Sequence, residues 1–150
     1  MNAPVYNALL RIFKEKIPED SKEIVDFTVK FLNENVEKYN WVGIYMIDGD
    51  DLVLAGWSGP EATEHTRIKV GDGICGLAAK EEFTVVVPDV SKDSRYISCF
   101  PGTKSEIVVP IFKEEKVIGE IDIDSDFVDP FDGKDEKFLE EIANFIGRRI

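Results

Sequence analysis

Residues 107–124 read Ile107-Val108-Val109-Pro110-Ile111-Phe112-Lys113-Glu114-Glu115-Lys116-Val117-Ile118-Gly119-Glu120-Ile121-Asp122-Ile123-Asp124. Two β-branched runs meet at a charged turn, Glu114-Glu115, so 107–112 and 117–124 are expected to pair as an antiparallel hairpin. The same pattern occurs upstream, where Trp41-Val42-Gly43-Ile44-Tyr45-Met46-Ile47 turns at Asp48-Gly49-Asp50 and returns over 51–57. Shorter strands are expected at 67–70 and 84–87. Helical spacing brackets these hairpins. Pro4 suits a helix start for 4–16, with Val5, Leu9, Ile12 and Phe13 as the apolar positions, and Ile17-Pro18 ends it. Asp20 or Ser21 caps a second helix, whose stripe is Ile24, Phe27, Phe31, Leu32 and Val36. Asp132 caps a last helix over 134–149, with Phe138, Ile142, Phe145 and Ile146 inward. Helices at both ends and hairpins between them predict an α+β domain, a central antiparallel sheet with the terminal helices on one face. The expected organisation is helices over about 4–38, sheet and loops over about 40–125, and the closing helix.

The 150 residues suffice for one domain with a sizeable core, and 43% hydrophobic with 32% charged residues is an ordinary globular composition. A formal charge of -12 disfavours nucleic acid and anionic membrane surfaces as partners. Met1-Asn2-Ala3-Pro4 carries neither the basic nor the apolar region of a secretory signal, so a cytosolic location is expected. In that compartment two cysteines do not form a permanent staple, although a disulfide that forms and breaks remains open.

Those cysteines differ in setting. Cys75 lies in Gly71-Asp72-Gly73-Ile74-Cys75-Gly76, a glycine-framed turn opening a short helix over 75–80. A helix start lowers a thiol pKa, while the apolar neighbours Ile74, Leu77 and Ala78 suit a small buried hydrophobe. Cys99 ends a polar stretch within the long loop 88–103, with Lys92, Arg95 and Lys104 nearby in sequence, and cations favour a thiolate. No Cys/His cluster has metal-ligand spacing, so no metal is expected. Strand alternation puts Asp122 and Asp124 on one face and Ile121 and Ile123 on the other. A solvated strand face is the commoner reading of such a pair. In a concave site the pair would instead supply a proton donor beside a fixed anion, and Glu106, entering the neighbouring strand, would add a third carboxyl. Trp41 and Tyr45 share a strand face, as core or as a wall for a small organic ligand. His65 is the only histidine.

Taken together, Asn40-Trp41-Val42-Gly43-Ile44-Tyr45, the glycine turn with Cys75, Cys99 followed by Lys104-Ser105-Glu106-Ile107-Val108-Val109-Pro110, and Glu120-Ile121-Asp122-Ile123-Asp124-Ser125 resemble the GAF-domain family, and within it the free methionine-(R)-sulfoxide reductases. The resemblance implies a single GAF-like domain with an active-site pocket under loops on the sheet face opposite the helices. It implies Cys99 as nucleophile and a carboxylate cluster of Glu106, Asp122 and Asp124 that holds the substrate ammonium and the sulfoxide oxygen. Trp41 and Tyr45 would form the aromatic wall. It further implies no bound cofactor, thioredoxin with NADPH as the external reductant, and homodimers as a common state. Many family members carry another cysteine before the glycine turn, near the position of His65, and Cys75 is expected to resolve in its place. The alternatives are a non-catalytic GAF sensor of a small molecule such as a cyclic nucleotide, more often fused to an effector domain, and a thiol-based redox sensor using Cys75 and Cys99.

Overall fold

A computed structural model describes residues 1–97 and 100–150. Helix α1 spans Ala3–Lys16, its first turn capped by the Asn2 side chain, which accepts from the Val5 N–H. Its buried face is Tyr6, Leu10 and Phe13, whereas Val5 and Ile12 are 42% and 39% exposed. The expected stripe is therefore rotated, because Tyr6 turns inward to reach a buried acid on the last helix. Asp20 caps α2 (Ser21–Asn35) by accepting from the N–H groups of Lys22 and Glu23. Asp132 caps α4 (Gly133–Gly147), and Asp135 accepts from the Asp132 N–H in return, a reciprocal capping box.

Six strands lie between: β1 (Trp41–Asp48), β2 (Asp51–Ser58), β3 (Arg67–Lys69), β4 (Val85–Val87), β5 (Ser105–Lys113) and β6 (Lys116–Ser125). They form one sheet in the order β3-β2-β1-β6-β5-β4, and every neighbouring pair is antiparallel. Both expected hairpins are present, and Glu114 and Glu115 adopt the left-handed conformation that a two-residue β-turn requires. A bulge between Ile44 and Tyr45 shifts β1 against β2, leaving Ala55 as the extra residue.

One sheet face presents Val42, Ile44, Ile107, Val109, Ile111, Ile121 and Ile123 to α1, α2 and α4, which together build the main core. Each fully buried aliphatic side chain there contributes roughly 1.5–3 kcal/mol. At the edge of this layer the buried Asp135 carboxylate accepts from Tyr6 Oη, from Tyr39 Oη at 2.6 Å and from Lys38 Nζ at 2.8 Å. This ties α1 and the chain before β1 to the start of α4. The other sheet face is covered by α3 (Gly73–Glu81) and not by loops alone, in a second apolar cluster with Tyr45, Leu52, Ile68, Val85, Val87 and Val108. The helix comes that close because a Cβ at Gly76 would lie 2.6 Å from the Lys69 carbonyl oxygen. Among the described residues no helix is long and apolar enough to cross a membrane.

Candidate active site

Strand register assembles the site on the α3 face. Trp41 is paired with Asp124, Gly43 with Asp122 and Tyr45 with Glu120 across β1 and β6. Across β5 and β6, Glu106 is paired with Asp124 and Val108 with Asp122. Aromatic wall and carboxyl groups are thus adjacent by construction. The wall itself is fixed. Tyr45, fully buried, donates its hydroxyl to the His65 carbonyl at 2.7 Å, and Trp41 donates Nε1 to the Glu61 carbonyl at 3.0 Å. The Trp41 ring folds back across β1 over Gly43, where a Cβ would lie 2.4 Å from Cη2. Trp57 stacks on it with ring centres 6.4 Å apart, and Phe100 packs at 5.6 Å.

Glu106, Glu120, Asp122 and Asp124 are all buried, which overturns the solvated-face reading of the β6 acids. Neither oxygen of Glu120 or of Asp124 has a hydrogen-bond partner among the described residues, nor has Oδ1 of Asp122. Burial pushes the Asp122 carboxyl up, partly offset by hydrogen bonding from Glu106 and Cys75. Burial raises Asp124 and Glu120 further, each aided by the Asp122 charge. The neighbouring Glu106 partly offsets this for Asp124, and Cys75 does the same for Glu120. Burial thus favours the protonated form of these carboxyls, the direction that a general acid needs, and among the described residues no lysine or arginine pairs with Glu120, Asp122 or Asp124.

Cys75 projects from the first turn of α3 onto these acids. Its Sγ lies 3.9 Å from Glu106 Oε2, and one ligand atom each of Cys75, Glu106 and Asp122 fall within 4.8 Å of one another. The expectation of a thiolate at the helix start is reversed. Burial, then the charges of Asp122, Glu120 and Glu106, push the Cys75 thiol well above its ordinary value. These effects outweigh the macrodipole, which even in the first turn is worth only about 0.3–2 kcal/mol.

Cys99 lies outside the described residues. The described residues that flank the gap, Ile97 and Phe100, touch the two ends of the site. Ile97 packs on Gly73, so that a Cβ there would lie 2.6 Å from its Cδ1, and Phe100 packs on Trp41. Of the cations expected near Cys99, Arg95 is engaged elsewhere, in a bidentate ion pair with Asp93 at 2.6 and 2.9 Å. Two cavities open onto the cluster. One, about 200 Å³, lies between Trp41, Phe100 and Asp124, and the other, about 10 Å³, between His65, Ile97, Cys75, Glu106 and Asp122. Sequence reasoning missed Glu120 as a member of the cluster. The signal was present, since Glu120 precedes Asp122 by two residues and strand alternation puts them on one face.

The GAF domain family matches residues 21–150. The Dictyostelium discoideum "GAF domain-containing protein A" is 45% identical over 113 residues, 73% of this chain and 70% of that protein. A free methionine-R-sulfoxide reductase of Saccharomyces cerevisiae is 41% identical over 113 residues, 73% of this chain and 62% of that one. The free methionine-R-sulfoxide reductase of Neisseria meningitidis, solved with its substrate, superposes with a TM-score of 0.84 at 36% identity, over 97% of this chain and 85% of that one.

Proposed function

The chain belongs to the GAF-domain family of free methionine-R-sulfoxide reductases, and we propose that it reduces free L-methionine (R)-sulfoxide to L-methionine by cysteine redox chemistry. The observation that carries this reading is the buried row of Glu120, Asp122 and Asp124, with oxygens that have no hydrogen-bond partner among the described residues, set beside the Trp41–Tyr45 wall. A free amino acid brings an ammonium for those anions, an apolar S-methyl end for the aromatic rings and a sulfoxide oxygen that must take up a proton.

In the proposed cycle the Cys99 thiolate attacks the sulfoxide sulfur and a protonated carboxyl of the cluster donates to the oxygen. Oxygen passes to Cys99, giving its sulfenic acid, and methionine leaves. The Cys75 thiol condenses with that sulfenic acid, releasing water and forming a Cys75–Cys99 disulfide. The dithiol of thioredoxin, kept reduced by NADPH in a cytosolic setting, restores both thiols. The contacts of Ile97 and Phe100 with the two ends of the site support Cys99 as the attacking group. A phosphate-bearing ligand such as a cyclic nucleotide is disfavoured, because it needs cationic partners and this site is built from four buried carboxyls.

The test is NADPH consumption with thioredoxin and its reductase, offered free (R)-sulfoxide, free (S)-sulfoxide and a peptide-bound sulfoxide. Turnover is expected with the first alone and is abolished by Cys99→Ser. No turnover with any of the three overturns the reading. Full turnover by Cys75→Ser overturns the resolving assignment alone.

A further inference from the structure

We propose that Cys75, Glu106 and Asp122 form a binding site for a thiophilic divalent cation, zinc fitting best. The donor set is one thiol and two carboxyls from three different elements, α3, β5 and β6, with ligand atoms already within 4.8 Å of one another. Zinc takes sulfur and carboxylate oxygen together and is content with three protein ligands and an open position. Magnesium and calcium prefer oxygen alone, so the thiol selects against them.

A second observation points to a cation independently of that cluster. Glu120 is fully buried, its oxygens have no hydrogen-bond partner among the described residues, and it faces the same thiol from two residues before Asp122 on β6. Among the described residues no lysine or arginine pairs with Glu120, Asp122 or Asp124. The cavity at this point, about 10 Å³, has room for one water-sized sphere or a bare ion and not for an amino acid. Binding would release to solvent the Cys75 proton and any proton held by Glu106 and Asp122, leaving the thiolate and the two carboxylates bonded to the metal. The site does not depend on turnover. Its consequence does rest on the reductase reading: a metal on Cys75 would withhold that thiol from Cys99 and occupy the place of the substrate ammonium.

The test uses the full chain carrying Cys99→Ser, so that one thiol remains, reduced and freed of metal by a chelator. Anaerobic titration with Co²⁺ as the spectroscopic stand-in is expected to give visible d–d bands and a near-ultraviolet thiolate-to-cobalt band at one equivalent, both erased by Zn²⁺. Cys75→Ser in the same background should remove the near-ultraviolet band. Because serine in that core position can impair folding, Glu106→Gln serves as the second variant. It retains the thiol and should weaken Co²⁺ affinity by on the order of tenfold or more. No thiolate band, a band that survives Cys75→Ser, or unchanged affinity in Glu106→Gln would each overturn the site. Metal-free chain with Cys99 intact, assayed with free (R)-sulfoxide, tests the reductase reading separately.

Discussion

Gly43→Ala tests whether the aromatic wall is held by its glycine. The added carbon would lie 2.4 and 2.5 Å from Cη2 and Cζ3 of Trp41 and 3.3 Å from Cδ1 of Leu54. Carbon atoms rest about 3.5–4.0 Å apart, so the ring has to move by about 1 Å. It has little freedom to do so. Gly59 backs its other edge, where a Cβ would lie 2.6 Å from Cδ1, and Nε1 is bound to the Glu61 carbonyl at 3.0 Å. Overpacking of this kind costs about 1–3 kcal/mol, and losing the indole hydrogen bond adds about 1 kcal/mol. A displacement of about 1 Å in a substrate-positioning group lowers kcat/KM by on the order of 100-fold. Urea denaturation gives the first quantity and turnover of free (R)-sulfoxide the second, with Trp41 fluorescence reporting the ring. Gly133→Ala is the control. Nothing lies within 4 Å of its added carbon, so stability should rise by up to about 1 kcal/mol with kcat/KM unchanged. Wild-type stability and wild-type kcat/KM in Gly43→Ala would refute the clasp.

Three further substitutions separate the two sheet faces. Burial alone would push Asp135 up, yet donors from Lys38, Tyr39, Tyr6 and the Asp132 backbone hold it below the ordinary aspartate range. A depressed folded pKa means stability that is present above the unfolded value of about 3.9 and lost as pH falls through the folded one. Asp135→Asn should therefore cost about 3 kcal/mol at neutral pH, and its deficit should shrink below pH about 4, measured by denaturation across pH; a deficit constant with pH contradicts this. Tyr45→Phe leaves the His65 carbonyl without its 2.7 Å donor and should cost about 1–3 kcal/mol in thermal denaturation, with a raised KM; an unaltered KM would remove Tyr45 from the wall. Phe13→Ala, packed against Phe27, Phe31 and Phe145, should cost about 3–5 kcal/mol while the folded protein keeps its kcat/KM, since α1 lies on the opposite face; reduced kcat/KM would show the two layers to be coupled.

The hairpins and caps were legible because they are local. Glu114-Glu115, Asp20 and Asp132 do in the fold what turn and capping chemistry requires of them. The α1 stripe was misread at Val5 and Ile12 because Tyr6 is amphipathic, and only the distant Asp135 explains its inward turn. The acids of β6 show the same limit at the site. Period two puts Glu120, Asp122 and Asp124 on one face, but whether that face meets water depends on α3, which arrives from 39 residues or more upstream in the chain. The Cys75 pKa failed for a related reason. A helix start is visible in sequence, whereas three carboxyls at contact come from β5 and β6 and are visible only after pairing.

That division bears on why the acids are there. Valine or threonine at 120, 122 and 124 would satisfy the strand and the α3 packing, while a buried unpaired carboxylate costs several kcal/mol even after relaxation. The fold carries this cost because its main core is on the other face, where α1, α2 and α4 bury Ile107, Ile121 and Ile123 without reference to the acids. Stability and chemistry are thus set on opposite sides of the same strands, by alternate residues. Among the described residues no lysine or arginine pairs with Glu120, Asp122 or Asp124, so a ligand that brings its own cation meets buried carboxyls there.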